Sequence, residues 1–288
     1  MVGLRTGRLF KACLRLFVLG ALSCSVAWAG DGKILATAGL SSIEGAGGGG
    51  IVPWATLSGY DTEEQVSASV FSSHVGVQDY TLQAWGAAIG LYDRFELSAA
   101  RHRFDIKPLG LQIQQNILGA KARLYGNLVY GDLPQISVGL QHKRLLEQDV
   151  AQLLGADESQ SGTDYYLAAS KVHLGAALGY NLVWNLTLRS SKANQLGLLG
   201  YGGAGKTNRD LLAEASLGVF LNRRLAVGME FRQKPDNLGL KEDHWRDVFI
   251  SYMPNKQMNL TIAWADLGNV AIADKQEGLY VSLTGYLW

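Results

Sequence analysis

The sequence predicts an all-β protein: a transmembrane antiparallel β-barrel of about 14 strands, or 12 on an alternative count, behind an N-terminal signal peptide. Three observations carry that expectation. The first residues have the form of an export signal, long segments alternate apolar and polar residues, and short connections alternate with long ones.

The signal comes first in the chain. Arg5, Arg8, Lys11 and Arg15 form a basic region, and Leu16 to Ala27 form a short apolar run. Ala27-Trp28-Ala29 has the small-x-small form of a cleavage site. Residues 1–29 are therefore expected to be removed after Ala29, leaving 30–288 as the barrel. Cys24 follows Ala21-Leu22-Ser23, a poor lipidation motif. Cys13 and Cys24 both lie in the signal, so the mature chain would hold no thiol and no disulfide. The signal also takes four of the 26 Lys and Arg and none of the 25 Asp and Glu, so the mature balance is 22 − 25 = −3. Such a balance offers no basic excess for nucleic acid.

No segment reads as a spanning helix. The longest uncharged stretch, Val172 to Leu188, is broken by His173, Asn181, Asn185 and Thr187. The strands read differently. In Asn181 to Ser191, Leu182, Trp184, Leu186 and Leu188 alternate with Asn181, Asn185, Thr187 and Arg189. In Gln135 to Lys143, Ile136, Val138 and Leu140 alternate with Gln135, Ser137, Gly139, Gln141 and Lys143. In Leu225 to Lys234, Leu225, Val227, Met229 and Phe231 oppose Gly228, Glu230, Arg232 and Lys234. A tilted membrane strand needs about 9–11 residues, whereas a sandwich strand runs nearer five or six. These segments have the longer form.

The connections sort by length. Asp61 to Glu64, Tyr92 to Arg94, Asn222-Arg223 and Pro254-Asn255 read as tight turns on the periplasmic side. Long extracellular loops are expected near 145–162, 193–210, 235–244 and 267–277. Tyr60, Tyr92, Tyr125, Phe220 and Tyr252 flank the short turns as an aromatic girdle, with Trp245, Trp264 and Tyr280 near the long loops. Counting from Lys33 gives 14 strands. An inward fold of the glycine-rich stretch Gly45 to Gly50 lowers the count to 12. The last strand, Gly278 to Trp288, ends on an aromatic residue, with Tyr280 and Tyr286 on one face. It resembles the C-terminal assembly signal of outer-membrane barrels, so barrel-assembly machinery and outer-membrane lipid are the expected partners.

One motif suggests chemistry. Gly200 to Thr207 matches the P-loop spacing, in which backbone amides cradle phosphates and Lys206 would neutralise charge. The surroundings contradict it, because a P-loop needs a buried parallel strand before it and a helix after it. Leu211 to Asn222 alternates as a strand instead, which leaves a flexible extracellular loop as the reading. No cofactor and no metal site is expected. His74, His102, His142, His173 and His244 are scattered without a nucleophile motif, so a membrane-embedded hydrolase ranks last and no enzyme is expected.

The polar face carries one candidate cluster. Arg189 ends an ascending strand, Glu214 begins the next, and Glu230 and Arg232 end the one after, with Lys143 nearby. Such a group near the outer mouth could filter a small solute as a charged constriction. The alternative is an ion-pair network filling a plugged lumen in a structural or envelope-associated barrel.

Several stretches together resemble a known family. They are Ser42-Ile43-Glu44-Gly45-Ala46, Pro53-Trp54-Ala55, Tyr92 to Ser98, Lys192 to Gly200, Asn222 to Ala226, Lys234 to Leu238 and Pro254-Asn255-Lys256. In these the chain resembles the Domain of Unknown Function 3034 family of Gram-negative outer-membrane proteins. The resemblance implies a barrel and carries over neither a substrate nor any catalytic residue. The likeness near the P-loop spacing stops at Leu199-Gly200.

Overall fold

The computed structural model describes residues 33–157, 159–203, 206 and 208–287. The expected signal peptide with its cleavage site at Ala29, residue Trp288, and Ala204, Gly205 and Thr207 of the P-loop spacing lie outside the described residues.

Twelve strands close into an antiparallel barrel. The chain enters it at β3 (Val66–Gly76) and continues through β4 (Tyr80–Leu91), β5 (Phe95–Ile106) and β6 (Leu111–Tyr125). Then come β7 (Gln135–Leu145), β8 (Ser161–Ala177), β9 (Tyr180–Ser191) and β10 (Asp210–Asn222). The last four are β11 (Leu225–Arg232), β12 (Trp245–Asn255), β13 (Met258–Asp266) and β14 (Glu277–Leu287). Each strand pairs with the next, and β14 pairs back onto β3 from Leu279↔Gly76 to Leu287↔Ala68, which removes every free edge.

The expected 14 strands become 12, and the alternative count holds because the glycine-rich segment folds inward. Residues 33–65 form a plug inside the lumen, and its only ladder is a two-residue pair, β1 (Leu40–Ser41) with β2 (Gly47–Gly48). Every residue from Leu40 to Tyr60 is buried. Glycine is needed where the plug turns hard against the wall. A Cβ on Gly47 would sit 2.6 Å from the Ser58 amide and 2.8 Å from a Glu96 carboxylate oxygen. Asp61 to Glu64 is thus the lead from the plug into β3, rather than a hairpin turn.

The three alternating segments face as their pattern predicts. Leu186, Leu188, Val138, Leu140 and Met229 are exposed on the outer wall, while Asn185, Thr187, Arg189, Gln141, Lys143, Glu230 and Arg232 are buried in the lumen. The barrel therefore has an apolar exterior, and its interior mixes buried polar and charged side chains with an apolar cluster that includes Phe71, Ile113, Ile117 and Phe249. Several aromatic assignments change. Tyr92, Tyr125, Tyr252 and Trp264 do lie exposed on the outside. Tyr60 belongs to the plug, and Trp245, Tyr280 and Tyr286 point inward and are buried. Tyr280 and Tyr286 share a face as expected, but it is the lumen face. The lipid-type side chains of β14 are Leu279, Val281, Leu283 and Leu287.

Long connections leave one end, after β7, β9, β11 and β13, close to the expected ranges. They do not all project away from the barrel. Residues 193–203 are buried, with Gln195 and Leu196 at positive φ, so this stretch turns down into the mouth instead of forming a flexible loop. Among the described residues no helix is long and apolar enough to cross a membrane.

Candidate functional site

The plug is gripped at successive heights by polar side chains that strand alternation aims inward. The uppermost grip centres on Glu44 of the plug. Arg232 of β11 meets its carboxylate at 2.7 Å, Arg189 of β9 approaches at 3.4 Å, and Lys143 of β7 pairs with it as well. Two wall carboxylates complete the set. Glu214 of β10 lies 2.6 Å from Arg189 and 3.2 Å from Arg232, and Asp164 of β8 lies 2.6 Å from Lys143. Gln141 accepts a bond from Arg189 at 2.7 Å, and the Arg189 guanidinium also lies over the Tyr166 ring, 5.5 Å from its centroid.

Three cations thus face three carboxylates in a buried network. Removing charges from water is costly, and such a network is tolerable only when each charge keeps its partners. Burial would raise the Glu44 carboxyl above its usual range, but Arg232, Lys143 and Arg189 reverse this and hold it well below.

Lower grips use the plug backbone. Glu96 of β5 accepts bonds from the amides of Gly47 at 3.1 Å and Ser58 at 2.7 Å, while Lys121 of β6 donates to the carbonyls of Gly47 and Thr56, both at 2.7 Å. Glu230 accepts from the Ile51 amide at 2.9 Å and from Ser216 at 2.7 Å. His102 bonds the Ile43 carbonyl at 2.7 Å. Near the short-turn end, Ser137 and Gln135 donate to the Ala55 carbonyl at 2.6 and 2.7 Å, and Tyr286 donates to that of Gly39. A buried backbone without regular ladders needs such partners, because an unpaired peptide group inside the lumen would be costly.

The mouth is closed separately. The Lys234 ammonium, 2.9 Å from Glu242, donates to the carbonyls of Leu267 at 2.9 Å and Asn269 at 2.6 Å. Glu242 also accepts from Gln195 and, at 2.9 Å, from the Ala271 amide. One buried ion pair therefore ties together the long connections after β9, β11 and β13. Burial raises the Glu242 carboxyl above its usual range and lowers the Lys234 ammonium below its own. Between the plug and these connections a cavity of only 30 Å³ remains, bounded by Ile43, Ile51, Leu198, Trp245 and Tyr280.

Four residues of the expected cluster, Lys143, Arg189, Glu214 and Arg232, come together. Glu230 does not join them and holds the plug amide of Ile51 instead. Sequence reasoning missed Glu44 and Asp164. Asp164 was accessible by parity, since it alternates with Tyr165, Leu167 and Ala169, but Glu44 sits in a segment without alternation. Its one signal was its place in a stretch carrying the family resemblance. The histidines scatter as the sequence suggests: His102 faces the plug, His142 and His173 lie exposed, and His244 packs edge-on against Phe231. Among the described residues no group of His, Cys, Asp and Glu could hold a metal ion.

The model of the family described as "Protein of unknown function (DUF3034)" matches residues 37–284, which bears out the resemblance. No curated protein matches the sequence. Among solved structures, the NanC porin aligns with TM-score 0.50 at 8% identity, covering 76% of this chain and 98% of its own. The KdgM porin aligns with TM-score 0.49 at 12% identity, covering 75% and 98%. LpxR from Salmonella typhimurium aligns with TM-score 0.48 at 11% identity, covering 77% and 99%. At these identities the likeness is one of fold alone.

Proposed function

The chain belongs to the DUF3034 family, and from that premise we propose that it is an outer-membrane barrel held shut by residues 33–65. In this reading it passes a small solute only when that plug is displaced. An apolar outer wall such as Leu118, Leu186, Val248 and Ile262 supports membrane insertion, because in water these exposed side chains would favour association. The observation that carries the shut state is the clasp of Glu44 by Lys143, Arg189 and Arg232. The wall behind the plug carries buried polar side chains, Ser73, Gln115, Asn185, Thr261 and Thr284 among them, beside apolar ones such as Phe71, Ile113 and Phe249. Such a wall would wet once vacated.

A permanently filled structural barrel is the second reading, favoured by the separate closure of the mouth through Lys234 and Glu242. Planar-bilayer recording separates the two. The full chain should be silent, and Glu44→Lys, which turns the clasped carboxylate into a fourth cation, should give discrete conductance steps. Arg189→Gln in that background should change their ion selectivity. A steady pore in the unaltered chain would overturn the shut state. Silence of Glu44→Lys, with protease cleavage within 33–65 proving the plug out, would leave the filled structural barrel.

A further inference from the structure

The lumen network does not use a second set of cations, which lies on the outside of the barrel. On β5 the outward residues from the short-turn end are Phe95, Leu97, Ala99, Arg101 and Arg103. On β10 the outward row stays apolar from Leu211 through Leu217 to Leu221. A membrane strand spans about 9–11 residues, so counting from Phe95 sets Arg101 inside the outer part of the span. The register aligns Arg101 with Asn116 of β6, and Asn116 with Arg144 of β7. All three are exposed. Arg101 donates to Gln114 at 2.6 Å, and Arg103 has Asp105 at 3.3 Å. Glu147 lies at the upper edge, bound to the Gln114 amide at 2.6 Å. Among the described residues no carboxylate pairs with Arg101 or Arg144. Unpaired guanidinium groups on a lipid-facing wall are unfavourable, and they call for an anion.

Below that row, past Ala99 and the exposed Leu118, the wall is hollow. Ala120 and Ala122 stand between the larger pairs Phe95 and Leu97 on one side and Val138 and Leu140 on the other. Their small side chains leave an apolar groove of 630 Å³ that continues past Tyr165 to Leu211. From the Leu97–Ala120–Leu140 row to the Arg101–Asn116–Arg144 row is four residues, or about 13 Å along the strand. At the far end of the groove Arg209 lies over the Tyr165 ring, 5.1 Å from its centroid, and bonds the Ser190 hydroxyl at 3.0 Å. His142 stands exposed between the two rows. Arg101 and Arg144 therefore stand above one part of a largely hydrocarbon groove, while Arg209 at its far end is held by the carbonyls of Thr163 and Ser190.

We propose that this outer face seats an anionic lipid: a phosphate monoester headgroup between Arg101 and Arg144, with an acyl chain lying in the groove over Ala120 and Ala122. Guanidinium forks match phosphate oxygens in pairs, which favours phosphate over a lone carboxylate. The site rests on the outer-membrane reading but not on the plug, since none of its residues touches the lumen clasp.

The test uses the full chain folded in neutral maltoside micelles, with bound lipid counted by native mass spectrometry. Dimyristoylphosphatidic acid should give a retained one-to-one adduct, while dimyristoylglycerol and inorganic phosphate should not. Arg101→Gln with Arg144→Gln should lower adduct occupancy about tenfold, and Ala120→Phe with Ala122→Phe should do the same by filling the groove. Arg246→Gln, an exposed arginine on β12, should leave it unchanged. Heat-dependent gel mobility confirms that each variant is folded. An adduct insensitive to both pairs, or equal retention of the uncharged lipid, overturns the site; retention of phosphate alone overturns the lipid. Membrane fractionation of the unaltered chain is read separately, so a failed adduct is distinct from a misplaced barrel.

Discussion

Glu44 and Arg232 meet at 2.7 Å across 188 residues of sequence. The contact joins the plug to β11, and it makes the charge balance of the lumen depend on a segment outside the wall. Without Glu44, the wall alone holds Lys143, Arg189 and Arg232 against only Asp164 and Glu214.

Glu44→Ala should therefore destabilise the folded barrel by about 3–5 kcal/mol, the usual result of removing one partner from a buried ion pair. Urea unfolding followed by tryptophan fluorescence measures this. Adding Arg232→Gln should recover part of the loss, because the uncompensated cation goes with it. A loss in the double variant equal to the sum of the single ones would show that the two residues are uncoupled.

The plug should hold through a wide pH range. The Glu44 carboxyl is held below its ordinary value of 4.5 by its three cations, although burial opposes them. A carboxyl lowered on folding contributes stability that is fully present above its unfolded value and is lost only as pH falls through the folded one. Protease resistance of residues 33–65 should then be flat from pH 7 to about 4.5 and decline only in more acidic solution. Release near pH 6 would contradict this account of the clasp.

Gly47 offers a steric test. Gly47→Ala would drive a methyl group against the Ser58 amide and the Glu96 carboxylate, at a close approach of plug and wall. The grip by Glu96 and Lys121 should loosen, raising the rate of proteolysis within 33–65 while the gel mobility of the barrel stays that of the folded form.

Lys234→Ala should open the mouth without freeing the plug. It leaves Glu242 and the carbonyls of Leu267 and Asn269 without their shared ammonium. A cysteine placed at Ala271, which is buried, should become reactive to a maleimide by tenfold or more in that background, and residues 30–288 hold no other thiol. Equal labelling with and without Lys234 would show that the loops are held by other contacts.

The last strand gives a test of biogenesis. Deleting Trp288 should lower the amount of protein in the outer-membrane fraction if the terminal strand is read by assembly machinery. Unchanged levels would remove that reading.

The wall was legible because its two faces obey different solvents. Leu186 and Leu188 outside, with Thr187 and Arg189 inside, announce the strand through a period of two. The same parity, with chain height, groups Lys143, Arg189, Glu214 and Arg232 correctly but adds Glu230, which holds the Ile51 amide instead. It could not find Glu44, because the plug takes its hydrogen bonds from wall side chains rather than from neighbouring strands and so leaves no period. It also misled at Trp245 and Tyr280: aromatic residues near strand ends suit a lipid interface, but these two are buried on the lumen side. Gly45 to Gly50 spoke for an inward fold only in combination with an even strand count.

The grips on the plug also constrain how the molecule can be made. Its residues precede every strand of the barrel wall, yet its anchors Lys143, Arg189 and Arg232 come from β7, β9 and β11. At Gln65 it passes straight into β3, one side of the seam that β14 completes. The first part of the described chain must therefore wait for the rest, tethered at the short-turn end, and the closing of the cylinder is tied to the filling of its interior.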